Sequence, residues 1–422
     1  MDNKHFLYQL FTQAVSASLP RACLTPHLNT LSIQDKVCVL GAGKASVEMA
    51  QVMVDYFGDC CYGAVVCRHG YSEHDNIGNV KILKGGHPLP DKYSMQAATQ
   101  ILSIAKAADS NTPVIFLLSG GGSALLSLPR QGISLNDKIA INQFLLSCGA
   151  PINEINTVRM HLSDIKGGKL AQAITGSSHT FVISDVVGDN PHIIASGPTL
   201  PSESTPIDAL AILDKYQWTP MPQVIAALTQ HNASNDRNNK RDEAATRHRL
   251  SIIANAKQAI DHAISTIDTT HYYIEIIDYE LTGDANTIAN KHAQLAIAAK
   301  RNDKPTLLIS GGELTVTLDN NATGDGGPNQ HYLLCLANAL NGEEGICALA
   351  CDTDGIDGSV DVAGAFINES TLKRAKSHNL DIKNAIATFD SYRVFNALND
   401  LIITGPTHTN VNDFRAIMIT PQ

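Results

Sequence analysis

Two α/β domains are what this sequence predicts, on three observations. The 422 residues exceed one ordinary core and suit two domains of roughly 100–200 residues each. Short β-rich runs alternate with helix-length segments throughout, the pattern of parallel sheets covered by helices. The stretch HNASNDRNNKRDEAATRHR, His231 to Arg249, has almost no apolar residue, so it reads as a solvated linker or long loop. The expected division is residues 1–240 and 241–422.

The elements follow in chain order. MDNKHFLYQLFTQAVSASLP is interrupted by polar residues at helical spacing, so it reads as a first helix with Phe6, Leu7, Leu10 and Phe11 on one face. It lacks the continuous apolar core of a signal peptide. Strands are expected at KVCVL (Lys36 to Leu40), GAVVC (Gly63 to Cys67), VKIL (Val80 to Leu83), VIFLL (Val114 to Leu118) and TFVIS (Thr180 to Ser184). Several are apolar on both faces, as strands between two helix layers must be. After the linker the alternation resumes with LSIIA, YYIEII, PTLLIS, ICALAC, LIITG and RAIMIT.

Composition narrows the function classes. No apolar run approaches the roughly 20 residues of a membrane helix. A formal charge of -10 disfavours nonspecific binding to nucleic acid or anionic lipid, which need a concentrated basic surface. An anionic small substrate stays open, because a pocket can be basic on an acidic protein. The nine cysteines are scattered and none has zinc spacing, so they are expected to be mostly buried, reduced thiols of a cytoplasmic protein.

Two strands run into glycine turns: FLLSGGGSALL, Phe116 to Leu126, and LLISGGELTV, Leu307 to Val316. At the carboxyl end of a strand in an open α/β sheet, such a turn presents backbone N–H groups to an anion, and glycine allows close approach. VLGAGKASVEMA, Val39 to Ala50, follows the same plan. It is no Walker A loop, because Cys38 and Ala45 stand where glycine and a hydroxyl are needed. It is no dinucleotide fingerprint, because Ser46 replaces the third glycine and Arg68 ends the second strand where an acid is wanted. Lys44 at the strand mouth is placed to neutralise a phosphoryl group.

Acids gather at other strand ends. ISDVVGDNPHIIASGPT carries Asp185 and Asp189, ACDTDGIDGSVDVAGAF carries Asp352, Asp354 and Asp357, and TGPTHTNVNDF carries Thr407, Asn410 and Asp413. Mg²⁺ takes one or two such carboxylates plus nucleotide phosphates, whereas the plain alternative for DTDGIDG is a pair of Asx turns. An EF-hand is excluded by the missing terminal glutamate and helical flanks. NTVRMHLSDIKGGKLAQAI, Asn156 to Ile174, gathers Arg159, His161, Lys166 and Lys169, either a grip for a carboxylate or phosphate or a solvated helix face.

In unbroken order, VLGAGKAS, GGHPLPD (Gly85 to Asp91), LLSGGGSALL, NTVRMHLSDIKGGKLA, ISDVVGDNPHIIASGPT, SGGELTVTL, GDGGPNQHYLLCLA (Gly324 to Ala337), DTDGIDGSVDVAGA and TGPTHTNVND resemble the class II glycerate 2-kinase family. The resemblance covers nearly the whole chain. It implies a Rossmann-like N-terminal domain with a parallel sheet and a second α/β domain with a mixed sheet, containing the MOFRL region at about 305–415. It also implies an active site in the cleft between them and phosphorylation of D-glycerate at the 2-hydroxyl with ATP and Mg²⁺. It carries Lys44 over as the phosphate-contacting lysine and makes Gly120 to Gly122 and Gly311 to Gly312 parts of the cleft. The sequence departs from it at Pro328, where many relatives have arginine in GGRNQE, at His331, which stands at the glutamate, and at Met160, which replaces a basic residue.

The roles then expected are Lys44 on the transferring phosphoryl group and Asp189 as base for the 2-hydroxyl. Arg159 and Lys166 bind the carboxylate, with Ser119 and Gly120 also on the substrate. The nucleotide falls to Gly121, Gly122, Ser123, Gly311, Gly312, Glu313 and Asn410, and the metal to Asp185 or Asp354. The partner is a small molecule, D-glycerate, and a homodimer is compatible with the reading. Two rivals stand beside it: an NAD(P)H-dependent hydroxypyruvate reductase using GAGKAS and Arg68, and a non-catalytic sugar-acid binding protein.

Overall fold

The computed structural model describes the chain except residues 1, 32, 34, 230–246, 318–322 and 422, so most of the anticipated linker lies outside the described residues. The chain forms two compact units, one of residues 23–253 and one of residues 1–22 with 254–422.

The first unit is built on seven strands: β1 (Val37–Ala42), β2 (Cys61–Arg68), β3 (Asn76–Ile77), β4 (Asn79–Gly85), β5 (Val114–Leu118), β6 (Ser178–Ile183) and β7 (His248–Ala254). Their order in the sheet is β3-β4-β2-β1-β5-β6-β7. β4, β2, β1, β5 and β6 run parallel, and the short β3 is antiparallel to β4. The five apolar runs expected before the linker fall on the five parallel strands. β1 and β5 are buried at every residue, as their unbroken hydrophobicity requires. β7, the LSIIA run, lies beside β6, with Ser178 Oγ and His248 Nδ1 2.8 Å apart.

The strand order places the site. From β1 the chain lays β2 and β4 to one side, then returns to put β5 on the other. That reversal leaves a crevice beyond the carboxyl ends of β1 and β5, where open α/β sheets take their ligands. One face of the sheet packs Leu40, Val66 and Phe116 against Ala98 and Ile101 of the helix Lys92–Ala107. A separate helical layer, Leu135–Ser147, Ile152–His161, Pro206–Lys215 and Pro222–Thr229, has its own core of Ile141, Leu145, Val158, Leu213 and Leu228. Two of these helices start at capping boxes, Ser134 with Asp137 and Thr205 with Asp208, which fix where each begins.

The second unit contains β8 (Tyr273–Asp278), β9 (Thr282–Asp284), β10 (Thr306–Ser310), β11 (Glu313–Thr315), β12 (Ile346–Asp352), β13 (Gly364–Ile367), β14 (Leu401–Ile402) and β15 (Asp413–Ile419). The main sheet has the order β14-β13-β12-β15-β10-β8, and β9 and β11 form a two-stranded ribbon. β8 and β10 are parallel and the remaining main-sheet pairs antiparallel, so the sheet is mixed. The helix Pro328–Leu340 is buried on nearly every side, with Tyr332, Leu333, Leu334 and Leu336 in the core. The first helix, Asn3–Ser18, also belongs to this unit. It buries Leu7, Leu10 and Phe11, stacks Phe6 on Tyr272 and tilts Phe11 against Phe414. Its amphipathic face was legible in the sequence, but the strands that receive it, β12 and β15, are more than 300 residues away in the chain.

Tight register makes one glycine diagnostic. Gly63 pairs with Val39, has φ of 142°, and a Cβ there would sit 2.0 Å from the Val39 carbonyl oxygen. Gly63→Ala should destabilise this unit by on the order of 3 kcal/mol, read as a lower urea midpoint; an unchanged midpoint would refute the close packing of β1 on β2.

Candidate functional site

At the strand reversal the two glycine turns lock together. The Ser119 amide donates to the Ala42 carbonyl at 3.1 Å, the Lys44 amide to the Gly120 carbonyl at 2.9 Å, and the Ala45 amide to Ser119 Oγ at 2.9 Å. Gly43, with φ of 135°, leaves no room for a side chain, since its Cβ would lie 2.2 Å from Ser119 Oγ. Ser46 Oγ donates within 2.8 Å of the Gly43 carbonyl and 3.0 Å of the Val66 carbonyl, which ties the following helix to β2. The lock leaves the amides of Gly120 and Gly121 with no protein acceptor among the described residues. Gly121, at φ 80°, lies under His87, whose ring would be 2.9 Å from a Cβ. This is the geometry of an anion-binding nest.

Next to the turn is a cavity of roughly 150 Å³, lined by His87, Pro88, Leu89, Pro90, Gly121, Ser123, Ala124, Ser127, Lys138, Ile139, Asn142, Arg159 and Lys166. It has three cations and no acid on its wall. Lys166 is fully engaged: its ammonium donates to Ser123 O at 2.9 Å, Ser123 Oγ at 3.1 Å and Ala195 O at 3.0 Å. Ser123 Oγ continues to Ser196 Oγ at 2.8 Å, and Ser196 Oγ donates to Asn156 Oδ1 at 3.0 Å. Arg159 donates to that same Asn156 oxygen from Nη1 at 3.4 Å and to Asn142 Oδ1 from Nε at 2.6 Å. The Asn156 amide nitrogen is left buried without an acceptor.

Burial is the main force on these groups. It pulls the Lys166 ammonium well below the ordinary lysine range, with Lys138 and Arg159 adding to the effect. Lys138 is pulled down to about 7 by burial, then by Lys169 and Arg159, with Asp164 opposing weakly. Burial alone lowers Arg159. An entering anion reverses each of these penalties.

The loop after β6 carries the acids and is conformationally strained. Asp189, Ala195 and Ser196 have φ of 47°, 52° and 59°, in the left-handed region that non-glycine residues seldom adopt. Such strain concentrates where surrounding contacts over-determine the backbone, and here the Lys166 and Ser123 bonds do so. Asp185 and Asp189 are both half-buried, and Lys44 at the opposite turn is half-buried too.

The second unit holds Gly311, Gly312, Glu313, Asp354 and Asn410. Its glycine turn has a packing cause. A Cβ on Gly311 would meet the Tyr279 carbonyl at 2.6 Å, and one on Gly312 would meet Leu281 backbone at 2.3 Å. The Gly311 amide donates to Asp278 O at 2.9 Å, and its carbonyl accepts from the buried Arg415. The DTDGIDG run forms the turns that were the plain alternative: Asp352 Oδ1 accepts from the Asp354 amide at 2.8 Å, and Asp354 Oδ1 from the Ile356 amide at 2.8 Å. Asp357 caps the helix Pro328–Leu340 by accepting from the Asn329 and Gln330 amides at 3.0 and 2.9 Å; burial raises its carboxyl to about 6. His331 is buried, stacked on Phe389, with Nδ1 unpartnered; burial lowers its pKa. Asn410 is buried and its Oδ1 accepts from the Asn412 amide at 3.1 Å.

Of the residues expected from sequence, the first unit thus brings Gly121, Ser123, Arg159 and Lys166 onto one cavity, with Lys44, Ser119, Gly120 and Gly122 in the interlocked turns behind it. Lys138, Asn142, Asn156, Ser196 and His87 were missed as site residues. One signal existed for two of them: Lys138 and Asn142 are four apart after a capping box, so they share a helix face. All nine cysteines are free, seven of them buried, and burial pushes the Cys23, Cys38, Cys61, Cys335 and Cys347 thiols up to about 12. No helix among the described residues is long and apolar enough to cross a membrane.

Comparison with known proteins adds the family. Residues 6–230 match the model described as a domain of unknown function, DUF4147, and residues 306–413 match the MOFRL family. An Agrobacterium vitis protein with the provisional name hydroxypyruvate reductase is 40% identical over 90% of this chain and 98% of its own. A Pyrococcus horikoshii protein named glycerate 2-kinase is 36% identical over 100% of this chain and 98% of its own. The crystal structure of a Thermotoga maritima glycerate kinase superposes with a TM-score of 0.88, at 34% identity, over 99% of each chain.

The depressed lysines make stability depend on pH. Folded Lys138 loses its proton near pH 7, whereas the unfolded chain keeps it to about 10.4. Between these values the unfolded state binds more protons, so this contribution is complete above pH 10 and is lost as pH falls through 7. Urea unfolding should show wild-type stability gaining roughly 1 kcal/mol per pH unit from this one group between pH 7 and 9. In Lys138→Met the gain should shrink by that amount; an identical slope would show that the lysine is not held neutral.

Proposed function

The chain belongs to the class II glycerate 2-kinase family, with its DUF4147 and MOFRL regions, and on that premise we propose that it transfers the γ-phosphoryl group of ATP to the 2-hydroxyl of D-glycerate, giving 2-phosphoglycerate and ADP. The observation that carries the reading is the acid-free, cation-lined cavity beside an unsatisfied glycine nest at the strand reversal. A small carboxylic acid fits the former and phosphate oxygens fit the latter.

Phosphoryl transfer needs in-line placement, charge neutralisation and an acceptor for the hydroxyl proton. Arg159 holds the glycerate carboxylate. Lys166 holds Ser123 and Ala195 in place, since its donors are engaged there. The Gly120 and Gly121 amides receive phosphate oxygens, and Lys44 neutralises the group in flight. Asp189 accepts the proton from the 2-hydroxyl.

The residues present fit Mg²⁺ better than a tightly ligated transition metal. Among the described residues no cluster of three or more His, Cys, Asp or Glu could hold a metal, whereas Mg²⁺ asks for only one or two carboxylates plus phosphates. Asp185 is the assigned ligand. Bound there, Mg²⁺ would supply charge neutralisation on the ATP phosphates.

One comparison favours a reductase, the name of the Agrobacterium vitis relative. Against it, Ser46 fills the third glycine position and its hydroxyl bridges Gly43 and Val66, while Arg68 lies over the Tyr71 ring. Oxidation of NADPH on adding hydroxypyruvate would revive it.

Phosphorus NMR of the protein with D-glycerate, ATP and Mg²⁺ tests the function: 2-phosphoglycerate is expected, and absence of any phosphoglycerate would overturn the reading. Lys44→Ala should lower kcat on the order of a hundredfold or more, as loss of a preorganised charge does; an unchanged kcat in a folded variant excludes that role. Asp189→Asn should abolish turnover with near-normal ATP affinity, and lost ATP binding would make Asp189 a metal ligand instead.

A further inference from the structure

Lys138 sits on the helix Leu135–Ser147, 6% exposed, and its side chain lines the same cavity as Arg159. Its one hydrogen-bond partner among the described residues is Ser127 Oγ, at 3.3 Å. An ammonium has three donors, so two remain without a protein acceptor. Lys166 differs in having all three engaged by Ser123 and Ala195. Arg159 likewise has Nε on Asn142 and Nη1 on Asn156, leaving Nη2 without a partner among the described residues. Unfilled donors of two cations thus face one small cavity that has no acid on its wall.

Resting on the proposed kinase reading, we propose that Lys138 is a substrate-binding residue that pairs with Arg159 to hold the acceptor's carboxylate, and that this pair restricts the acceptor to small 2-hydroxy acids. Arg159 offers a planar fork and Lys138 a point charge, so together they take both oxygens of a carboxylate from two directions. The cavity's lining also includes the apolar Pro88, Leu89, Pro90 and Ile139, which offer no counterpart for a second anionic group. A neutral amide or alcohol would leave both cations uncompensated, so discrimination comes from charge as well as shape. Lys166 acts as a positioning residue for the Ser123 and Ala195 backbone.

The charged groups bearing on Lys138 are Lys166, Lys169, Arg159 and Asp164, three of one sign close by against one weak acid. Their sum keeps the free ammonium easily deprotonated, and a bound carboxylate reverses that bias. Binding above pH 7 should therefore take up a proton, and affinity should weaken as pH rises.

The test uses the whole chain. Lys138→Met and Lys138→Arg are compared with wild type by steady-state kinetics on D-glycerate and on its neutral amide. Proton uptake is measured by titration calorimetry of D-glycerate at pH 8 in two buffers of different ionisation enthalpy. The expected result for Lys138→Met is a KM for D-glycerate raised roughly 10- to 100-fold, with kcat changed much less and the preference for acid over amide reduced. Lys138→Arg should recover part of the KM. Wild type should take up close to one proton per D-glycerate bound and Lys138→Met none. An unchanged KM with unchanged proton uptake in Lys138→Met overturns the proposal while leaving the kinase reading intact. If wild type makes no 2-phosphoglycerate, the kinase reading fails by itself. Proton uptake on D-glycerate binding, lost in Lys138→Met, would then still support the carboxylate site, and its absence would overturn it.

Discussion

Burying Lys138, Arg159 and Lys166 around one cavity without an acid on its wall is the constraint that the first unit is built to bear. Each ion loses hydration worth on the order of several kcal/mol, and like charges close by add to that. The offset is a continuous chain of hydrogen bonds: Lys166 to Ser123, Ser123 to Ser196, Ser196 to Asn156, and Arg159 back to the same Asn156 oxygen. The chain ties the glycine turn after β5, the helix Ile152–His161 and the strained loop after β6 into one rigid frame. The left-handed backbone at Ala195 and Ser196 belongs to that frame, since Ala195 must present its carbonyl to Lys166. A cavity lined by three basic groups, two of them discharged by burial, is complementary to an anion that restores their charge. The frame keeps the charges in place until one arrives.

Two similar stretches of sequence, SGGGS and SGGE, end up under different physical demands. In the first, Gly43 and Ser119 press two turns together and leave the Gly120 and Gly121 amides without protein acceptors. In the second, Gly311 and Gly312 are small because the Tyr279–Leu281 backbone passes within contact distance, and the Gly311 amide is already hydrogen-bonded. The same letters meet a turn-on-turn contact in one unit and a passing backbone in the other. A sequence motif cannot separate these, because both require a missing Cβ.

The strands were legible because parallel, doubly covered strands must be apolar at every position, and β1 and β5 are. The turns were legible from glycine at strand ends, and Arg159 and Lys166 from their clustering beside Gly167 and Gly168. Lys138 was not, because a lysine in LNDKIAINQF matches a solvated helix face and only the tertiary packing of the helical layer turns it inward. The DTDGIDG acids suggested metal, yet one oxygen each of Asp352 and Asp354 and both of Asp357 accept from backbone amides of their own turn or of the helix Pro328–Leu340. The place of the first helix was also unreadable, since amphipathicity fixes a face and leaves its partner open. Pro328 and His331, the departures from the family pattern, are likewise clearer in space: Pro328 begins a helix capped by Asp357, and His331 is buried against Phe389.

The most direct measurement of the central claim is the titration of Lys138 itself, followed by ¹³C NMR of its ε-carbon in protein labelled at lysine and assigned with Lys138→Met. The account requires a free-protein pKa near 7 and an upward shift of at least about two units with saturating D-glycerate. A value near 10.4 that D-glycerate leaves unmoved would mean that the ammonium is hydrated and that the cavity does not receive the acid.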